Sequence, residues 1–401
     1  MIDSPFLFVD DIETAGKRCL VRLDLNVPLA DGVVGDDTRI RRVLPGLEAL
    51  CSAGARLIIM THLGRPKGRQ VPAMSVAPVA GRLAALLGRP VPVVSDITGQ
   101  QATDAVAAMQ DGDVLMLENL RFHAGEEAND GDFAAALAAL GDIYVGDAFS
   151  CTHRAHASVE ALPRMMPVVA AGRALGDELS ALHRALAAPE RPLGAVVGGA
   201  KVSTKLSVLE NLVKTVDVLV LGGGMANTFL LANGHDIGAS LVEADMTETA
   251  SDIARTANDH GCRLVLPHDF CVAKALASGV DTRIAQTGDV GTDDMILDAG
   301  PESAAAAIAA LSDCRTIVWN GPMGAFEFPP FDAATNVLAQ AVAAQSKNDG
   351  MMSVAGGGDT LAALANAGVS DDISYISTAG GAFLEWLEGR TLPGVEALRR
   401  A

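Results

Sequence analysis

The sequence predicts an α/β protein of two doubly wound parallel-sheet domains that face a central cleft and are joined by a long helix. Short apolar runs alternate with helical patterns along the chain, which is typical of parallel sheets. At 401 residues the chain is too long for one ordinary core. The alternation pauses at a helical segment from about Gly172 to Ala188. We therefore predict Rossmann-like domains at residues 1–171 and 172–387, the second including the linker helix.

The N-terminal half shows the alternation clearly. Pro45 predicts a kink or a late start in the first helix. The predicted strands are Arg18–Leu23, Arg56–Met60, Val91–Val94, Val114–Leu117 and Ile143–Val145. The predicted helices are Thr38–Cys51, Ser75–Leu87, Gln100–Met109 and Asp132–Leu140.

The alternation restarts after Pro189 and Pro192. The predicted strands are Leu193–Val197, Val216–Leu221, Arg263–Leu266, Thr316–Val318, Met352–Val354 and Ser374–Ile376. Helices are predicted after Lys201 and at Met225–Leu231, Thr247–Asn258, Glu302–Leu311, Ala333–Ala344 and Thr360–Ala367.

Composition limits the function classes. Hydrophobic residues make up 49% and charged residues 20% of the chain, a globular composition. We find no apolar run near the ~18 residues of a membrane span and no signal peptide. The net charge of −19 argues against nucleic-acid or anionic-membrane partners. Six scattered cysteines without a C-x-x-C pair favour reduced thiols in the cytoplasm.

In the first half of the chain, basic residues occur in the loops that follow successive predicted strands. The carboxyl ends of parallel strands share one edge of a sheet, so these residues should converge there. A single arginine is more often a plain surface residue, but four at equivalent positions in an acidic chain favour an anion site. The candidates are Arg39, His62, Arg65, Arg121, His153 and Arg154, with Asp24 and Asn26 in the first loop.

Two other patterns in this half are weak. His153 and His156 are three residues apart, but no further ligands at suitable spacing complete a metal site. Cys151 stands near His153, yet residues so close in sequence rarely face each other, so we interpret this cysteine as a bystander rather than a nucleophile.

The second half carries glycine clusters after its strands, which permit close backbone approach to a ligand. The clusters begin at Gly198, Gly222, Gly321 and Gly356. Lys201 and Lys205 follow the first cluster, where a helix start disfavours cations unless an anion binds. Two solvated lysines remain an equal alternative at that point.

Gly357 and Gly358 head a predicted helix whose N–H groups suit phosphate, and Asp359 could bind Mg²⁺ or simply cap the helix. Glu327 could accept hydrogen bonds from ribose or belong to plain loop packing. Neither a Walker A motif nor G-x-G-x-x-G is present. The composite pattern indicates a two-domain phosphotransferase.

The chain resembles the phosphoglycerate kinase family, in its bacterial form, along essentially its whole length. Several stretches in the same order carry the resemblance. They are Arg22–Pro28, His62–Pro66, Glu118–Phe122, Asp147–Phe149, His153–Ser158, Gly198–Lys205, Trp319–Pro322 and Gly356–Thr360.

The resemblance implies roles for individual residues. It implies that 3-phosphoglycerate is bound by Asp24, Asn26, Arg39, His62, Arg65, Arg121 and Arg154. It implies that ATP or ADP is bound by Lys201, Lys205, Glu327, Gly357, Gly358, Asp359 and Thr360, with Mg²⁺ on Asp359. It also implies that residues 388–401 return to the N-terminal domain.

The reaction that follows is reversible Mg²⁺-dependent phosphoryl transfer between 1,3-bisphosphoglycerate and ADP by a cytoplasmic monomer. Arg39 and Lys205 would flank the transferring group when the domains close. Two alternatives remain: a kinase for another small carboxylate, and a non-catalytic scaffold descended from such an enzyme.

Two segments depart from the family pattern. Ser150-Cys151-Thr152 stands where the family usually has Gly-Thr-Ala, and Ala379 stands where it usually has glycine. These changes bear on substrate affinity and hinge behaviour rather than on the reaction.

Overall fold

The computed structural model describes residues 5–399, and the chain forms two compact units. The first contains the chain up to Leu179 and again from Thr391, and the second is Ser180–Arg390. The division falls within the helix Arg173–Leu182, which continues as one π-helical turn, His183–Ala187. The sequence-based boundary at residue 171 therefore precedes this helix, whereas the structural division lies inside it.

The first unit contains a six-stranded parallel sheet and a small hairpin. Its strands are β1 (Arg18–Leu23), β2 (Leu29–Ala30), β3 (Val33–Val34), β4 (Arg56–Met60), β5 (Val93–Val94), β6 (Val114–Leu117), β7 (Ile143–Asp147) and β8 (Val169–Ala171). The sheet order is β5-β6-β4-β1-β7-β8, and β2 pairs with β3. The α-helices up to the division are α1 (Thr38–Ser52), α2 (Ala77–Leu87), α3 (Gln100–Ala107), α4 (Ala124–Glu127), α5 (Gly131–Ala138), α6 (Leu162–Met165) and α7 (Arg173–Leu182).

Burial explains why the central strands have continuous apolar runs. Residues 19–23 of β1 are all buried, as expected for a parallel strand covered on both faces. Ile40 and Leu47 of α1 and Leu83 of α2 pack into the same core. Pro45 lies inside α1, which begins at Thr38, so the predicted late start of that helix is wrong.

The second unit contains another six-stranded parallel sheet. Its strands are β9 (Leu193–Val197), β10 (Val218–Leu221), β11 (Arg263–Val265), β12 (Asp269–Ala273), β13 (Thr282–Gln286), β14 (Met295–Ala299), β15 (Thr316–Asn320), β16 (Met352–Gly356) and β17 (Tyr375–Ser377). The parallel order is β11-β10-β9-β15-β16-β17. The helices are α8 (Leu206–Thr215), α9 (Gly224–Ala232), α10 (Thr247–Asp259), α11 (Pro301–Leu311), α12 (Ala333–Asp349), α13 (Gly358–Asn366) and α14 (Gly380–Leu387).

A three-stranded antiparallel sheet, ordered β13-β12-β14, was not anticipated from the sequence. Four of the five residues of β13 are exposed, so that strand lacks the apolar run of a buried parallel strand. Phe270 and Val272 of β12 are buried in a small separate core with Leu230 of α9.

The C-terminal segment, with helix α15 (Pro393–Glu396), packs on the first unit. The Gly394 N–H donates to the Thr152 carbonyl at 2.8 Å, and Phe6 forms a β-bridge with Arg399. Leu398 is buried. This segment therefore supports the loop that follows β7.

Gly198→Ala should destabilise the second unit strongly. A Cβ there would lie 1.7 Å from the Pro322 carbonyl oxygen, so the backbone of two loops would have to separate. We expect a loss of about 3 kcal/mol, or a Tm decrease of about 6–12 °C. Gly380→Ala is the matched control, because a Cβ at that helix start meets no atom within 4 Å. A melting temperature within about 2 °C of the parent protein would contradict this packing.

Candidate active site

Four neighbouring strands of the first unit, in the order β6-β4-β1-β7, carry the predicted anion-binding residues on the loops that follow them. Because the strands are parallel, these loops emerge at one edge of the sheet. Arg121 follows β6, His62 and Arg65 follow β4, Asp24 and Asn26 follow β1, and Arg154 follows β7. Arg39 lies in the first turn of α1.

Hydrogen bonds join these loops to one another. The Asn26 carboxamide oxygen accepts from the Gly64 N–H at 2.9 Å, and the Arg121 guanidinium donates to the Gly64 carbonyl at 2.8 Å. The fully buried Asn119 side chain donates to the carbonyls of Leu63 and Met74 at 2.7 and 2.9 Å. The backbone that presents His62 and Arg65 is thus fixed from both sides.

Asp24 connects the first loop to α1 and to the loop after β7. Its carboxylate forms an ion pair with Arg39 and accepts a hydrogen bond from the Ser150 hydroxyl. Ser150 belongs to the segment that departs from the family pattern, and its hydroxyl gives Asp24 a partner that glycine could not supply. The Arg39 side chain remains 43% exposed, so it can reach a ligand.

Sequence reasoning missed the buried centre of this site, Arg22 in β1. Its guanidinium is 1% exposed and lies 3.2 Å from His62 Nδ1. It donates to the Ser158 hydroxyl at 2.8 Å and lies 4.0 Å from the fully buried carboxylate of Glu126. A charged residue inside an apolar strand was the available signal, because arginine is almost never fully buried unless it is paired.

The two histidines of the cluster are neutral at pH 7. Burial, together with Arg22, Arg121 and Arg154, holds the pKa of His62 well below its ordinary value. Burial and the same arginines lower the pKa of His156 to about 4. Burial is the larger cause of both shifts and the guanidinium groups add to it, so the two imidazoles lie beside fixed positive charge that attracts an anion.

The remaining basic residues differ in exposure. Arg65 is exposed, whereas Arg121 is 3% exposed and lies 3.4 Å from Glu127. Arg154 is half-buried, and its Nε donates to His153 Nε2 at 3.1 Å. The cluster thus combines fixed, buried charge with an exposed guanidinium.

In the second unit, Lys205 is folded back onto the loops. Its ammonium donates to the carbonyls of Gly198 and Asn320 at 2.6 and 2.9 Å. Burial lowers its pKa to about 8, and the nearby Asp359 carboxylate opposes that shift. Lys205 is therefore a mostly protonated amine at pH 7 whose charge is only partly compensated.

The helix predicted after Lys201 is present, and Lys201 itself lies outside it. Helix α8 begins at Leu206 with Lys205 at its N-cap, so Lys201 lies in the preceding loop and is exposed. The two lysines therefore do not share a helical turn. Lys201 instead lies close enough to Glu243 to help lower the pKa of that carboxyl, mainly set by hydrogen bonds from Ser203.

The glycine loops of this unit pack backbone against backbone. Gly321 has φ +103°, and a Cβ there would lie 2.2 Å from the Gly198 carbonyl oxygen. The Thr360 hydroxyl accepts from the Gly321 N–H at 2.7 Å and donates to the Gly356 carbonyl at 2.8 Å. Thr360 is buried, so it joins two loops rather than presenting its hydroxyl to solvent.

Helix α13 begins at Gly358 directly after Gly357, which has φ +98° and is the N-cap. Neither the cap residue nor Asp359 supplies a side-chain cap hydrogen bond to this helix among the described contacts. The simple capping interpretation of Asp359 therefore loses its support. Asp359 and Glu327 are both exposed.

Ala379 causes no backbone strain. It is the N-cap of α14 with φ −98°, a conformation that needs no glycine. Its N–H donates to the Ser377 hydroxyl at 3.3 Å.

An arginine-rich sheet edge in one unit and glycine loops at a sheet edge of the other are the features expected of a two-domain phosphotransferase, which moves a phosphoryl group between a nucleotide and an anionic acceptor. The family model described as phosphoglycerate kinase matches residues 9–390. The chain belongs to the phosphoglycerate kinase family. It is a kinase that uses a carboxyl group as phosphoryl acceptor, with phosphoglycerate and ATP or ADP as substrates.

Relatives and solved structures agree over nearly the full length. The chain is 56% identical over 395 residues to a phosphoglycerate kinase of Azorhizobium caulinodans, covering 98% of this chain and 99% of that one. It is 54% identical over 393 residues to one of Caulobacter vibrioides, with 98% and 99% coverage.

The structure of phosphoglycerate kinase from Coxiella burnetii is similar with a TM-score of 0.93, 42% identity, and coverage of 98% and 99%. That from Pyrococcus horikoshii has a TM-score of 0.77, 30% identity, and coverage of 98% for each chain. Neither alternative function gains support from these comparisons. Among the described residues, no helix has both the length and the apolar character to cross a bilayer.

The histidine pKa values should respond to an anion. A bound 3-phosphoglycerate brings negative charge to the arginines, so the pKa of His156 should rise from about 4, and that of His62 should rise with it. Histidine NMR titrations with and without 3-phosphoglycerate would measure both shifts. The exposed His260 of the second unit is the internal control. Unchanged titration of His62 and His156 at saturating ligand would contradict an anion site here.

Proposed function

We propose that the arginine-lined edge of the first unit binds 3-phosphoglycerate and that the glycine-lined edge of the second unit binds the nucleotide. The arginines gathered on adjacent loops at this edge, with Arg22 and Arg121 buried, carry the first assignment. The acceptor residues are Asp24, Asn26, Arg39, His62, Arg65, Arg121 and Arg154. The nucleotide residues are Lys201, Lys205, Glu327, Gly357, Gly358, Asp359 and Thr360.

Within these sets the contacts suggest different tasks. Arg65 and Arg39 are exposed enough to pair with the phosphate or carboxylate of the acceptor. Asn26 and Thr360 are already hydrogen-bonded to neighbouring loops, so their main task is to hold the backbone in place. Neutral His62 can donate or accept a hydrogen bond without adding charge.

The chemistry needs alignment and charge neutralisation rather than a general base. A carboxylate oxygen of 3-phosphoglycerate attacks the γ-phosphorus of ATP, and the bond to the bridging oxygen breaks, so ADP leaves with the electron pair. The attacking carboxylate is already ionised at pH 7, and no proton has to be removed. Arg39 and Lys205 supply positive charge to the transferring phosphoryl group.

Asp359 is the candidate ligand for Mg²⁺. Its exposed carboxylate lies in the first turn of α13, and an oxygen ligand beside a phosphate site is what Mg²⁺ prefers. The bound ion would neutralise negative charge on the nucleotide phosphates. Asp359 also interacts with Lys205, so the metal site and the lysine belong to one region of the second unit.

We also propose that the enzyme is a cytoplasmic monomer. The described cysteines are all free thiols, which is typical of a reducing compartment. Sedimentation velocity at micromolar concentration would test the monomer, and a species of twice the chain mass of 41.2 kDa would contradict it.

Arg65→Ala should raise the KM for 3-phosphoglycerate by about 10–100-fold and leave the KM for ATP nearly unchanged, because a charge-assisted contact to the acceptor is lost. Steady-state kinetics with each substrate varied would measure this. Arg69→Ala, in the same loop and also exposed, is the matched control. A change confined to the ATP KM would mean that the two units have the opposite ligands.

Lys205→Ala should lower kcat by at least about 100-fold, because charge at the transferring group is lost. The pH profile separates this role from a structural one. Lys205 loses its proton as the pH rises through about 8, so kcat/KM for nucleotide should fall above that pH.

Lys205→Arg keeps the charge, and the fall in its kcat/KM for nucleotide should move to higher pH. Lys214→Arg, at an exposed position in the last turn of α8, should leave the profile unchanged. Coincident profiles for the parent enzyme and Lys205→Arg would exclude Lys205 as the titrating group.

A further inference from the structure

Arg22 of β1 is held at every nitrogen of its buried guanidinium. Its Nε donates to the Ser158 hydroxyl at 2.8 Å, its Nη1 donates to the Leu23 carbonyl, and its Nη2 lies 3.2 Å from Nδ1 of His62. Because the Arg22 side chain is only 1% exposed, these contacts, rather than solvent, fix the position of the guanidinium.

Glu126 fixes the other end of this chain of contacts. A guanidinium can only donate, so the Ser158 hydroxyl accepts from Arg22 and turns its own proton elsewhere. That hydroxyl donates to Oε1 of Glu126 at 2.6 Å, and the Ser158 N–H donates to Oε2 of the same carboxylate at 2.9 Å. Glu126 is fully buried, and its negative charge offsets the positive charge of Arg22. The guanidinium is therefore held in one orientation.

The contact with Arg22 determines where the imidazole of His62 carries its proton. Because the guanidinium has no acceptor, Nδ1 of His62 must accept from it. His62 is neutral at pH 7, since burial, followed by Arg22 and two further arginines, lowers its pKa. In a neutral imidazole whose Nδ1 accepts, the proton lies on Nε2. Nε2 of His62 is therefore an N–H donor.

Nε2 of His62 is the ring nitrogen that a ligand can use. Within residues 5–399 it forms no hydrogen bond, and it is not closed off from solvent. The ring stands beside Asp24, since one ring nitrogen, a carboxylate oxygen of Asp24 and Sγ of Cys151 all lie within 4.8 Å of one another. A lone pair on Nε2 would repel an anionic oxygen, whereas an N–H attracts it.

We propose that Arg22 is a positioning residue that fixes His62 as its Nε2–H tautomer, so that the imidazole donates to an anionic oxygen of the acceptor substrate. Ser158 and Glu126 hold Arg22 in place for this task. The part that concerns the substrate rests on the proposed function, because it uses the assignment of His62 to 3-phosphoglycerate. The tautomer itself does not depend on that assignment.

A fixed tautomer removes a cost that binding would otherwise carry. A neutral histidine that exchanges its proton between the two nitrogens presents a lone pair to the ligand for part of the time. The apparent affinity for a ligand falls with the fraction of protein in the binding-competent state. With Nε2 of His62 always protonated, the whole enzyme population offers the donor.

NMR of the ¹⁵N-labelled parent enzyme tests the tautomer directly. The protonated and unprotonated nitrogens of a neutral imidazole have well-separated ¹⁵N chemical shifts, and long-range ¹H–¹⁵N correlations identify which of them is Nδ1. At pH 7 without ligand, His62 should carry its proton on Nε2 alone. His62→Gln identifies the signals of this residue by their loss. A proton on Nδ1 of His62 would overturn the proposal.

The double variant Arg22→Met/Glu126→Gln tests whether Arg22 is the cause. It leaves no buried charge unpaired and keeps the net charge of this edge. His62 should then show a measurable fraction of the Nδ1–H tautomer, and the KM for 3-phosphoglycerate should rise about 2–10-fold with the KM for ATP nearly unchanged. Arg18→Met/Asp142→Asn removes an ion pair at the start of the same strand and is the matched control, which should change neither. An unchanged tautomer in the first variant would exclude Arg22 as its cause.

Two comparisons show whether Arg22 acts through His62. In a His62→Ala background the same double change should not raise the KM for 3-phosphoglycerate further, and an equal rise there would overturn the positioning role. Should the double variant not fold, His62→Gln and His62→Asn decide. A glutamine amide lies near the place of Nε2 and an asparagine amide near that of Nδ1, so His62→Gln should raise this KM about tenfold less than His62→Asn. Equal values would overturn the proposal.

Addition of 3-phosphoglycerate separates this proposal from the acceptor assignment. A shift of the Nε2–H signal of His62 at saturating ligand supports the donor role. With the Nε2–H tautomer present, an unchanged signal overturns the donor role together with the acceptor assignment, whereas the tautomer set by Arg22 stands. An Nδ1–H tautomer whose signals shift with 3-phosphoglycerate would instead overturn the role of Arg22 and leave the acceptor assignment standing.

Discussion

Parallel strand pairing is the constraint on which both candidate binding edges depend. In a parallel sheet every strand points the same way, so each following loop emerges at the same edge. In the first unit this places the loops after β6, β4, β1 and β7 in one row. In the second unit it gathers the glycine loops after β10, β9, β15 and β16. Residues more than 100 positions apart thereby become neighbours.

The arginine-lined edge of the first unit concentrates positive charge inside an acidic protein. Arg22 is fully buried, and its desolvation is offset by Ser158, a backbone carbonyl and the carboxylate of Glu126. Arg121 is also buried. Because these charges were desolvated when the chain folded, an anionic ligand meets donors that need little further reorganisation. The pKa values of His62 and His156 are lowered first by burial of the two imidazoles and then by these arginines.

Much of the parallel framework was predictable, because buried strands are short apolar runs and the helices between them are amphipathic. The bounds of β1, β4, β6 and β9 agree with the predictions to the residue. The antiparallel sheet around β12 was not predictable in this way, since β13 is largely exposed and carries no apolar period.

The candidate site was likewise predictable only in part from the sequence. The sequence shows which loops follow strands. In the structure, the candidate residues on those loops lie on adjacent loops. Arg22, Glu126 and Asn119 were missed, because their importance comes from contacts across loops that no local pattern records. The helix predicted after Lys201 is present as α8, and Lys201 lies in the loop before it. The meeting of Cys151 with Asp24 and His62 likewise depends on strand order.

The return of the C-terminal segment has a consequence for biosynthesis. Gly394 braces Thr152 in the loop after β7, and Leu398 packs close to Gly146 in that strand. These residues follow the second unit in the chain, so they leave the ribosome only after the whole second unit has been made. Although domains generally fold in the order of their synthesis, the first unit of this chain cannot form these contacts until the second unit has been synthesised. The arginine-lined edge of the first unit is therefore encoded before the second unit but braced only after it, so a chain arrested before Gly394 carries the second unit together with an unbraced arginine-lined edge.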